Sequence, residues 1–70
     1  MYNGHKNWTY WNVSLWINND EPTYRMALSA VKHYAIRKDA AQFIKDSLPA
    51  TTPDGAVYTI DNIKAAIADM

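Results

Sequence analysis

The residues richest in chemical possibilities lie together in Asn7 to Asp20, where three tryptophans, one tyrosine and four asparagines fall within 14 positions. Clustered rings of this kind build protein-binding hot spots or platforms on which nucleic-acid bases stack. They also serve as core, since each large ring buries ~150–250 Å². Trp11 and Trp16 sit inside the apolar pattern and read as core. Trp8 and Tyr10 lie at its edge, beside a polar arm, and are open to either role. Asn12 interrupts the apolar run, where an unpaired amide costs ~1–3 kcal/mol. Either the backbone of a neighbouring loop satisfies it, or it recognises a partner's peptide backbone or base edge.

Other chemistry is thinly represented. His5 and His33 are the two imidazoles, and neither has a second ligand at metal-binding spacing. Adjacent Asp20 and Glu21 at a helix start complement the helix dipole more readily than they act as an acid–base pair. Ser14, Ser29 and Ser47 lack the Gly-x-Ser-x-Gly setting of a catalytic serine. With two glycines, the chain has no phosphate-cradling loop. With no cysteine, it has neither disulfides nor thiolate ligands. The expectation is a protein that is not an enzyme and carries no metal or cofactor. Arg25, Lys32, Arg37, Lys38 and Lys45 form a basic strip diluted by Asp39 and Asp46. The candidate partner-binding residues are therefore Trp8, Tyr10, Asn12, Arg25, Lys32 and Arg37.

These side chains are carried by a chain of 70 residues, the size of one domain. Residues 1–7 read as a flexible arm and residues 49–57 as a loop containing the turn Thr52-Pro53-Asp54-Gly55. Trp8, Trp11 and Leu15 follow helical spacing and Thr9 is placed to cap such a helix. The alternation of Trp11, Val13, Leu15 and Ile17 also fits a strand. Asp20-Glu21-Pro22 starts a second helix that should reach Arg37, with Tyr24, Leu28 or Ala27, Val31 and Ala35 along its apolar stripe. A third should span Lys38 to Ser47, capped by Asp39 and burying Ala40, Phe43 and Ile44. A fourth should span Ile60 to Met70, capped by Thr59 or Asp61. The expected fold is an all-α bundle of three or four short helices around a Trp/Tyr-rich core. The alternative is α+β, with residues 10–17 as a strand.

Trp11-Asn12-Val13-x-Leu15-Trp16-Ile17-x-Asn19-Asp20, preceded by Tyr2-Asn3-Gly4 and Lys6-Asn7 and followed later by Thr52-Pro53-Asp54-Gly55, resembles a family of short proteins found in tailed phages and bacterial genomes. The family has no established activity. Its pattern places threonine directly before the first motif tryptophan, where this chain has Tyr10. If that threonine caps a helix, this chain must move the cap, use Asn7 or do without. The resemblance implies a phage or mobile-element setting, in which a small protein binds a host or phage macromolecule.

Seven basic and seven acidic residues balance to zero net charge, which disfavours a nucleic-acid binder. No run approaches a membrane span, and polar residues after Met1 predict no secretory signal. The functional expectation is a non-enzymatic interaction protein in the cytoplasm of a bacterial or phage-infected cell. The alternatives are a nucleic-acid-binding accessory protein and a homo-oligomerising module.

Overall fold

The computed structural model describes residues 4–70. Its four helices are α1 (Trp8–Asn19), α2 (Glu21–His33), α3 (Arg37–Ser47) and α4 (Ile60–Ala66). They close a ring: α1 packs on α4 and α2, while α3 packs on α2 and α4. The fold is all-α, and residues 10–17 lie within α1 rather than in a strand. An isolated antiparallel bridge joins Thr51 to Val57 inside the α3–α4 loop.

Local chemistry sets the helix ends. Asn7 caps α1 by accepting from the Tyr10 N–H at 3.1 Å. Thr9, the cap expected from the sequence, lies inside the first turn instead. Asn18 and Asn19 complete α1 and return their side-chain amides to the carbonyls of Ser14 and Leu15. Asp20 alone joins two helices. Its N–H donates to the Trp16 carbonyl at 3.1 Å, closing α1. Its carboxylate accepts from the N–H and hydroxyl of Thr23 at 3.3 and 2.6 Å, opening α2.

The second helix stops at His33, four residues short of the expected end, without glycine or proline. Tyr34 and Ile36 are extended there. Tyr34 packs partly on the core and meets the Phe43 ring at 5.7 Å, so the break folds α3 back beside α2. Ile36 takes the N-cap position of α3 without a side-chain hydrogen bond, and Asp39 lies in the first turn rather than at the cap. Arg37 Nη2 donates to the Met70 carbonyl at 2.7 Å and fastens the start of α3 to the end of the chain. Thr59 and Asn62 form a reciprocal capping box on α4. That helix ends at Ala66, and residues 67–69 continue as turns.

The core differs from the ring-rich interior expected. Val13, Ile17, Ile44, Ile63 and Ile67 are fully buried, and six alanines with Tyr58 complete the buried apolar set. So many alanines let helices approach closely, leaving little space between them for an indole. Trp11 and Trp16 are half-buried, and Trp8 is exposed. Phe43 and Tyr24, both expected on buried stripes, are exposed. Trp16 stays at the rim for a further reason, because its N–H needs a polar partner and finds one there.

Candidate functional site

The α3–α4 loop, residues 48–59, is held against α1 by polar side chains. Thr52-Pro53-Asp54-Gly55 forms a turn in which the Gly55 N–H donates to the Thr52 carbonyl at 2.9 Å. Gly55 has φ +95°, a conformation that side-chain-bearing residues rarely adopt. The loop is drawn into a small hairpin by Thr52 N–H to Ala56 O at 2.9 Å and Tyr58 N–H to Ala50 O at 3.1 Å.

Asn12 meets this turn from α1. It is 1% exposed, and both heteroatoms of its amide are engaged. Nδ2 donates to Asp54 Oδ2 at 2.9 Å, and Oδ1 accepts from the Thr52 hydroxyl at 2.6 Å. Thr52 Oγ1 in turn accepts from the Ala56 N–H at 3.0 Å. Trp16, one helical turn beyond Asn12, donates its Nε1–H to the same Asp54 oxygen at 2.9 Å. The amide of Asn12 and the indole of Trp16 thus hold the Asp54 carboxyl below the usual aspartate range. A second buried asparagine, Asn62, pins the exit of the loop: Nδ2 donates to the Val57 carbonyl and Oδ1 accepts from the Thr59 N–H, both at 2.9 Å.

Clamping the loop in this way leaves a groove of about 490 Å³ between it and the α1–α2 corner. Trp16, Tyr58, Leu48, Pro49 and Pro53 supply apolar walls, and Asp20 a carboxylate. Its volume falls within the ~300–1,000 Å³ typical of ligand sites. A smaller hollow of about 200 Å³ is lined by Leu15, Trp16, Asn19 and Asp20. Trp16 and Asp20 border both depressions. Burial, followed by the nearby Asp20 charge, raises the pKa of the Tyr58 phenol. Tyr58 therefore remains a hydrogen-bond donor at neutral pH.

The candidate residues read from the sequence are dispersed by comparison. Tyr10 lies beneath the Lys6 ammonium, 5.4 Å from its ring centroid. Trp8 is exposed in the same first turn of α1. Arg25 pairs with Glu21 one turn earlier on α2, both side chains well exposed, where such pairs contribute little. Lys32 is exposed near the end of α2, and Arg37 is committed to the Met70 carbonyl. Asn12 is enclosed in the loop clamp. Trp16, Asp20, Tyr58 and the two loop prolines were not selected by sequence reasoning. Their signal was the pairing of an asparagine inside an apolar run with a distant Thr-Pro-Asp-Gly, since each half holds what the other lacks. Among the described residues, no group of three His, Cys, Asp or Glu side chains could hold a metal ion, and no helix is long and apolar enough to cross a membrane.

These features define a small four-helix bundle whose longest loop is clamped to the first helix and leaves an aromatic groove beside it. The chain belongs to a family of unknown function, DUF7249, whose profile matches residues 1–70. No curated protein and no solved structure matches it.

Proposed function

We propose that this chain is a non-enzymatic interaction protein whose α1–loop groove receives a short segment of a partner macromolecule. The observation that supports this most is the partly exposed Trp16 indole, which lines two hollows and is fixed by Asp54. Aromatic residues held in place beside a groove lose little freedom on binding and serve as anchors. The proposal extends to a cytoplasmic phage or mobile-element setting, where the partner is a host or phage protein. That part rests on the motif resemblance alone. Zero net charge weighs against nucleic acid as the partner.

A photo-crosslinking amino acid placed at Thr51, on the groove wall, tests the reading in cells of the native host. A parallel variant carries it at Tyr10, within the surface selected from sequence. A discrete protein adduct from position 51 and none from position 10 is expected. Adducts from position 10 alone would return the site to the first turn of α1. An adduct of two copies of this chain, or one containing nucleic acid, would overturn the proposed class of partner.

A further inference from the structure

The groove presents one formal charge on its wall, the Asp20 carboxylate, and no basic side chain. Asp54 accepts from the Trp16 Nε1–H at the edge of the indole. Among the described residues the ion pair formed is Arg25 with Glu21, so neither Asp20 nor Asp54 is neutralised by a cation. Thr23 engages Oδ2 of Asp20 with both its N–H and its hydroxyl, and no side chain among the described residues donates to Oδ1. The groove that Asp20 lines is otherwise walled by Trp16, Tyr58, Leu48 and two prolines.

From this juxtaposition we infer that the groove takes a protein segment bearing a lysine or arginine. The long methylene stem of such a residue lies along the apolar walls while its charged head reaches Asp20. A cation beside an indole gains further attraction from the ring face. An acidic segment would place its charge against Asp20 and Asp54 with no cation on the wall to offset them. Net charge is zero, so attraction to a basic segment is local to this site and not a property of the whole surface. The inference rests on the groove reading proposed above and names the chemistry of the partner.

Selection from a random-peptide library, followed by mapping each bound peptide through the NMR signals of Trp16 and Tyr58, tests it. Peptides that shift both signals are expected to share a lysine or arginine. Asp20→Asn removes the charge while keeping a residue that caps helices equally well. It should weaken these peptides about tenfold, the equivalent of one charge-assisted contact, whereas Asp69→Asn should leave their affinity unchanged. Groove-binding peptides without a basic residue, or unaltered affinity in Asp20→Asn, overturn the basic-segment inference and leave the groove reading standing. Bound peptides that leave Trp16 and Tyr58 unshifted, or a library that yields no binder, overturn both.

Discussion

Ile17→Ala is expected to leave much of the protein unfolded at physiological temperature. Ile17 is fully buried on α1, the helix that packs on both α2 and α4. Truncating a buried isoleucine to alanine costs ~2–5 kcal/mol, because the transfer free energy of the lost methyl groups is joined by the cost of the cavity left behind. A domain of this size is stabilised by only roughly 4–10 kcal/mol. The alanine-rich contacts around Ile17 offer few long side chains to refill the gap. Trp8→Ala removes a larger side chain, but one that is 37% exposed at the first turn of α1. Its cost should be well below that of Ile17→Ala. Urea denaturation of the two variants decides the matter. A greater loss from Trp8→Ala than from Ile17→Ala would return the tryptophans to the core and contradict the aliphatic interior.

Asn12→Leu is expected to produce the second-largest loss, although leucine keeps the branched shape of the side chain and suits a helix better than asparagine. The substitution removes the acceptor of the buried Thr52 hydroxyl and one of the two donors to Asp54. Leaving a buried hydroxyl unsatisfied costs ~1–3 kcal/mol. The fall in Tm should be on the order of 10 °C, at ~4–8 °C per kcal/mol for a small domain. Thr52→Val should also destabilise, by stranding the Ala56 N–H. The double variant should lose less than the sum of the two, with a coupling of ~0.5–3 kcal/mol. Strict additivity would mean that Asn12 and Thr52 do not act through each other.

Much of the backbone was legible because its signals are local. Asp20-Glu21-Pro22 carries a cap, a first-turn acid and a proline in sequence order, and α2 starts where these place it. The Thr52–Gly55 turn is likewise written in its own residues. The break after His33 was not legible, because it depends on Tyr34 finding the core and Phe43 rather than on any breaker residue. The tryptophans misled for a related reason. Size and apolarity favour burial, but a core assembled from isoleucines and alanines leaves no room for indoles, and an indole N–H is better satisfied at the rim. The groove was hidden because its walls come from three separated segments: the last turns of α1, the start of α2 and the α3–α4 loop. Asn12 was correctly seen as needing a partner. The partners it finds are not the loop backbone, as expected, but the loop side chains Thr52 and Asp54, some 40 residues away.

The clamp also accounts for what the two halves of the resemblance have in common. Asn12 and Trp16 come from the tryptophan motif, and Thr52 and Asp54 from the turn motif. Neither half is complete alone, since the buried amide needs the loop and the exposed carboxylate needs the two donors to be fixed. The tryptophan segment is therefore scaffold and surface at once. Val13 and Ile17 face the interior, Asn12 locks the loop, and Trp16 remains available on the wall of the groove.

The most direct measurement is a pH titration of the Trp16 indole Nε1–H signal by NMR, repeated in Asp54→Ala. The hydrogen bonds from Asn12 and Trp16 lower the pKa of Asp54 in the folded protein, whereas the unfolded value is that of an ordinary aspartate, about 3.9. The stabilisation from these contacts is therefore fully present above the unfolded pKa and is lost as pH falls through the lower folded one. The indole signal should be flat from neutral pH downward and then move in a single step whose midpoint lies below that of an ordinary aspartate. In Asp54→Ala the step should vanish, with the signal already displaced at neutral pH. An indole signal that ignores both pH and the loss of Asp54 would show that helix and loop are not joined at Trp16, and would contradict the clamp on which the groove depends.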